Sequence, residues 1–250
     1  MYKKQASKIT GGLSAPGKMP EGSYNLPAAA CQTGQILAQI EGTPCSGCYA
    51  LKGRYRFPNV KDALARRLES LKHPDWVRAM TVLITGIKHF RWHDSGDLQS
   101  PWHLQQIFRV CEATPETSHW LPTQERKYLP LEGSTIPPNL IIRLSNAKND
   151  TAPGQAWTHW STVVEKRRDG HVCPAPEQGM KCGSCRACWS KMSKKYYTEN
   201  IKKIHDEYLR AYPSFIHEPT SNKQSTSEQT LKHSGPRYAS NGRASKTIPQ

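Results

Sequence analysis

Long apolar runs are missing from this sequence. No stretch approaches the roughly 18 residues that a membrane-spanning helix needs, and the start Met1-Tyr2-Lys3-Lys4 has no apolar segment of the signal-peptide kind. The expectation is a soluble, cytoplasmic chain with no membrane partner. Acidic residues are also scarce, with 20 Asp and Glu against 35 Lys and Arg, a formal net charge of +15. Apolar residues make up 36% of the 250, low for a globular composition. They thin out most between Ile216 and Gln250, where Ile216, Leu231, Tyr238 and Ile248 stand among Ser, Thr, Asn, Gln, Pro and Lys. Such a segment buries too little surface to offset its ordering entropy, so residues 216–250 are predicted to be a disordered tail. That tail holds five cations and two acids, leaving a net +12 on residues 1–215. A basic folded part implies an anionic partner or substrate, nucleic acid among the possibilities. A basic but partnerless surface is the alternative.

Periodicity organises the rest. Residues 1–30 are rich in Gly, Pro and Ser and read as an N-terminal loop segment with one short strand at most. Val60, Leu64, Leu68 and Leu71 form one helical stripe; Trp76, Met80, Leu83 and Ile87 form a second after His73-Pro74-Asp75. Phe90–His93 reads as a strand ending in the turn Asp94-Ser95-Gly96-Asp97. A helix follows, with Pro101 near its start and Leu104, Ile107, Phe108 and Cys111 as its stripe. Further strands are predicted at Thr117–Leu121, with Pro122 as its exit, at Leu140–Leu144 and at Thr162–Val164. A basic helix is predicted over Lys191–Tyr212. Alternating strands and helices predict an α/β fold, either a partial (β/α) barrel or an open, mostly parallel sheet. Its core spans 31–172, and 173–215 forms a Cys-rich metal-binding loop with a C-terminal helix. In such sheets the chemistry lies at the carboxyl ends of the strands.

Eight cysteines in a reducing compartment point to metal or catalysis rather than to disulfides. Cys173-x8-Cys182-x2-Cys185-x2-Cys188 is a tetrad among Gly and Pro, and four thiolates satisfy either a tetrahedral zinc or an iron–sulfur cluster. Cys31-x13-Cys45-x2-Cys48 is a triad without a nearby fourth cysteine. One reading is a [4Fe-4S] cluster with three protein-bound irons and one open iron. The other is a zinc site completed by His89, His93 or Cys111. Cys111 itself sits on an apolar stripe and reads as a buried structural thiol.

The triad ahead of an α/β segment resembles the radical S-adenosylmethionine enzymes, whose three-cysteine [4Fe-4S] cluster chelates the methionine end of the cofactor. Only Cys45 and Cys48 keep that family's Cys-x2-Cys spacing, and the aromatic residue follows the last cysteine here instead of preceding it. The resemblance implies that Ser95, Gly96, Asp97 and Asp94, after the second strand, contact S-adenosylmethionine. Asn146 in Arg143-Leu144-Ser145-Asn146 and the segment Thr123-Gln124-Glu125 would line the same mouth. More closely, Gly17-Lys18-Met19-Pro20, Cys45-x2-Cys48-Tyr49-Ala50, His93-Asp94-Ser95-Gly96-Asp97 and Cys182-x2-Cys185-x2-Cys188-Trp189 resemble a phage- and plasmid-encoded family called gene product 88, over about residues 10–190. That likeness implies an architecture rather than a reaction.

Two functions follow as expectations. The first is a radical enzyme fed by an electron donor, with S-adenosylmethionine and the triad cluster as cofactors. The tetrad would then hold a second [4Fe-4S] cluster or zinc, and the substrate would be nucleic acid or another anion. The second is a non-catalytic, metal-stabilised nucleic-acid-binding protein. It draws on Lys166-Arg167-Arg168, on the lysines of 191–203 and on seven tryptophans.

Overall fold

The computed structural model describes residues 1–131, 133–151, 157–164 and 171–190. The basic helix predicted over Lys191–Tyr212, the tail from Ile216 and the Lys166-Arg167-Arg168 cluster lie outside the described residues.

The elements run α1 (Lys3–Thr10), β1 (Ser23–Tyr24), α2 (Gln32–Leu37), α3 (Pro58–Ser70), α4 (Trp76–Ile84), β2 (His89–Trp92), α5 (Pro101–Ala113), β3 (Ser118–Thr123), β4 (Leu140–Ser145) and β5 (Trp160–Ser161). The strands form one open sheet in the order β1-β2-β3-β4-β5, each parallel to its neighbour. Of the two architectures predicted, the open sheet is the one formed. All five carboxyl ends therefore emerge along one edge, and the loops after them can meet.

Both predicted helices and the helix from Pro101 form, although Leu71 and Ile87, the last members of the two stripes, fall just past the ends of α3 and α4. Ser100 caps α5 by accepting from the His103 amide (3.1 Å), and Pro101 occupies its first turn. The sequence reading missed α1. Its seed is short and mostly polar, and only Ala6 and Thr10 are buried. It forms because Ala6 packs against Ala79 and Leu83 of α4, tertiary support that local periodicity does not reveal. β3 extends through Pro122, and β5 lies at 160–161, just ahead of the predicted 162–164.

The two faces of the sheet differ. Register places Phe90, Trp92, His119, Leu121, Leu140 and Ile142 on one face. There they are buried with Trp76, Leu104 and Ile107 from the helices. Tyr24 ties this layer together. Its hydroxyl donates to the Thr10 carbonyl (2.7 Å), lies 2.8 Å from Ser70 Oγ and accepts from Trp76 Nε1 (3.2 Å). His89, Arg91, Trp120 and Arg143 point to the opposite face, which the 171–190 segment covers. Trp189 Nε1 donates to the Phe90 carbonyl (2.9 Å), its ring stands 5.3 Å from Trp120 and 5.5 Å from His89, and Arg143 reaches the Ala187 carbonyl (3.3 Å).

Candidate functional site

The carboxyl ends of β1, β2 and β3 converge on the cysteine triad. The segment after β1 leads through Asn25 and Leu26 to Cys31, at the start of α2. Glu125, after β3, is fully buried and holds this start. Its Oε1 accepts the amides of Gln32 (3.0 Å) and Thr33 (2.7 Å), and its Oε2 accepts the Thr33 hydroxyl (2.7 Å). A carboxylate on two free amides of a helix start satisfies donors that the helix cannot satisfy itself. Glu125 thereby fixes the residue that follows Cys31. This role lay hidden in a segment read only as lining, because nothing in the sequence pairs positions 32 and 125.

Gly34 shows how tightly the triad is built. A side-chain carbon placed there would lie 2.9 Å from Cys31 Cβ, 3.6 Å from Cys31 Sγ and 3.8 Å from Cys45 Sγ. Two triad sulfurs thus flank the same glycine, and only glycine leaves that room. The burial that gathers them also disfavours the thiolate form. Desolvation pushes Cys31 up to about 12 and Cys45 up to about 11; neighbouring Cys48, Asp97 and Glu125 add to both shifts, and Asp97 outweighs Cys48 at Cys31. Thiols in such a place become thiolates when a bound cation supplies the missing positive charge.

Among the described residues, no three His, Cys, Asp or Glu stand close enough to hold a single metal ion. A lone zinc, with Zn–S near 2.3 Å, would draw its sulfurs to about 3.8 Å from one another. An iron–sulfur cluster takes its thiolates on different irons and spreads them wider. Of the residues weighed to complete a zinc site there, Cys111 is buried in the helix-side core and His89 lies on the opposite face of the sheet.

The turn after β2 and the loop after β4 supply the remaining predicted residues, and each is engaged within the chain. Asp97 Oδ1 accepts from the Leu98 amide (2.7 Å) and the Thr123 hydroxyl (2.6 Å), while Oδ2 accepts from the Gln124 amide (2.7 Å). Burial lifts this carboxyl to about 6 against those three bonds. Ser95 exchanges backbone and side-chain bonds with Leu26, both 2.9 Å. Gly96 adopts φ +76°, and a side chain there would strike Leu26 at 2.5 Å. Asp94 accepts from Arg91 (2.7 Å) and from the Tyr55 hydroxyl (2.9 Å), and its carbonyl accepts the Tyr49 hydroxyl. Asn146 donates to the carbonyls of Lys148 (2.9 Å) and Thr151 (2.7 Å), shaping the β4–β5 loop. These residues knit the loops of the mouth together. Asp97 Oδ2 keeps one acceptor position beyond the bond it makes.

The tetrad lies on the other face. Burial raises Cys182, with Cys173 and Cys185 beside it, and lifts Cys188 to about 11 near Cys173 and Cys182, against the guanidiniums of Arg143 and Arg91. Cys185 Sγ lies 3.5 Å from His171 Nε2, and the Cys182 amide donates to the Lys18 carbonyl (2.8 Å). Lys18 and Met19 thus reach this loop, with Met19 Sδ 3.7 Å from Arg91. The same Arg91 holds Asp94 at the mouth and stacks over Trp120 at 4.5 Å, so one side chain serves both cysteine regions.

Among the described residues, no helix is long and apolar enough to cross a membrane. A family model described as Gene product 88 matches residues 1–191, and the chain belongs to that family. No curated protein and no solved structure matches the chain significantly.

Proposed function

For this member of the gene product 88 family, we propose that Cys31, Cys45 and Cys48 hold an iron–sulfur cluster with one open iron that takes S-adenosylmethionine, as in a radical enzyme. The observation carrying this reading is the pair of sulfurs flanking Gly34 at the carboxyl edge of a parallel sheet. Three cysteine ligands leave a fourth position for a small molecule, by the logic of open catalytic metal sites. When bound, the cluster would supply one electron to S-adenosylmethionine and open its carbon–sulfur bond, drawing that electron from an external donor. The comparisons with known proteins do not contribute to this reading; it rests on the residues.

The chain's own part is positioning. Glu125 sets the start of α2 and hence Cys31. Asp97 binds the loops after β2 and β3 to each other, and its remaining Oδ2 acceptor suits the ammonium of an amino acid moiety. Asp94 anchors Tyr49, the residue next to Cys48, so the third ligand is fixed from the β2 side. The tetrad would take a second cluster or zinc as a closed, structural site that pins the 171–190 segment across β2 and β3.

Anaerobic purification with iron, sulfide and zinc analysis tests the proposal. Iron and sulfide in comparable amounts, partly lost when Cys31, Cys45 and Cys48 are all replaced by Ala, are the expected result. Zinc alone overturns it. Titrating S-adenosylmethionine while watching the cluster's paramagnetic resonance tests the open iron. Asp97→Asn, which keeps shape but removes charge, should weaken that binding about ten- to a hundredfold with the cluster intact.

A further inference from the structure

Directly after Cys48 the chain changes character. Tyr49 and Phe57 are large aromatics left 57% and 56% exposed, and Leu51 between them is 44% exposed. Lys52, Arg54, Arg56 and Lys61 alternate with them, all exposed, and none forms an ion pair among the described residues. From Gly42 to Lys61 there is no Asp or Glu. Large exposed aromatics and unpaired cations on one short segment mark an interaction surface rather than a solvated loop. The segment is also braced from beneath. Both tyrosine hydroxyls bond Asp94, which Arg91 holds in turn, and the Tyr49 and Tyr55 rings meet edge-on at 6.0 Å. The Tyr49 ring is therefore held by its polar end while much of it stays open.

From this we infer that residues 49–61 are a binding strip for single-stranded nucleic acid, with Phe57 and Tyr49 as stacking surfaces and Lys52, Arg54 and Arg56 on the phosphates. The chemistry favours this occupant over others. An acidic peptide would match the cations but gives exposed aromatic faces nothing to stack on. A duplex buries its base faces, whereas a single strand offers a base and a phosphate at each step, in the same alternation as the strip. Because the strip adjoins Cys48, the inference also names a substrate class for the proposed cluster and to that extent rests on that reading. The binding itself does not need the cluster.

The test is anisotropy with labelled oligonucleotides of about fifteen nucleotides, poly-dT and poly-U in separate arms, on the full-length protein over a salt series. Iron is measured on the same preparations. Residues 191–250 carry further lysines and arginines, so the differences between variants and wild type are the readout. Phe57→Ala is expected to weaken single-strand binding about five- to a hundredfold, and Phe57→Trp to restore it. Arg54→Gln with Arg56→Gln should weaken it and flatten the dependence of log K on log salt by about 1.4. Tighter binding of poly-U than of poly-dT would assign the strip to RNA, the reverse to DNA. Absence of saturable binding, or binding that Phe57→Ala leaves unchanged, overturns the inference. Iron-free protein that still binds in this pattern would sink the cluster proposal and leave this one standing.

Discussion

The two cysteine regions are built in opposite ways. The triad is held by its protein. Glu125 fixes the helix start, Asp97 laces two loops and Asp94 anchors the tyrosines, so side chains of the fold itself hold the segments that carry these cysteines. The tetrad segment meets the sheet through Trp189 and through Arg143 to Ala187, and the Cys182 amide ties it to Lys18. A site with an open position has to be shaped by the chain, because the metal does not complete it. A closed four-thiolate site can shape the chain instead.

Acid acts most strongly on the helix-side core beneath both regions. His103 and His119 are buried, and desolvation lowers each to about 3. In the unfolded chain they titrate near 6.5, so below that pH the unfolded state binds protons that the folded state refuses. Their contribution is fully present above about pH 6.5 and is lost as pH falls toward 3, by up to about 3 kcal/mol per pH unit for the pair. Denaturant titrations between pH 7 and 4 should show this fall, and His119→Gln, where it folds, should remove about half of it. A flat profile would mean that these histidines find partners when protonated.

Next in size is Glu125→Ala. It strands two amides and a hydroxyl at the start of α2, and should cost about 3 kcal/mol of unfolding free energy in a urea titration while lowering metal uptake by the triad. An unchanged midpoint would show that water replaces the carboxylate. Cys185→Ser should act more locally. Amide exchange should speed up across 171–190 while β2 to β4 stay protected, whereas protection lost from the whole sheet would mean that the tetrad stabilises the fold and not just its own segment. The smallest effect is expected from Gly34→Ala. Crowding Cys31 should cost about 1–3 kcal/mol and, on the proposed reading, lower the iron content assigned to the triad without changing any metal at the tetrad. Full occupancy in that variant would mean that the sulfurs turn away from Gly34 when metal binds.

The parallel sheet was legible from β2 and β3 flanking a strongly periodic helix and from the apolar run of β4; Leu104, Ile107, Phe108 and Cys111 define α5 almost by themselves. The α1 helix was not, since two buried side chains in eight residues leave no periodic stripe. The cysteine groupings were visible as spacing. Their support was not, because the pairing of Glu125 with Thr33, or of Arg91 with Trp120, exists only once segments distant in sequence lie side by side. Asp97 shows the limit in another way. An acid after a strand reads as a ligand group, and the fold spends most of its capacity on Leu98, Thr123 and Gln124. The cations alternating with aromatics after Cys48 were present in the sequence throughout, and their exposure is what gives them meaning.

Strand order has a further consequence, for synthesis. Since each strand pairs with the one made just before it, the sheet can grow vectorially as the chain leaves the ribosome, N-terminal part first. The triad mouth is then assembled once β3 and Glu125 have emerged, while His89 and Trp120 lack their Trp189 cover until that residue is translated, some seventy residues after Trp120. During that interval the nascent chain carries an uncovered aromatic face, the period in which chaperones or premature metal capture would matter most.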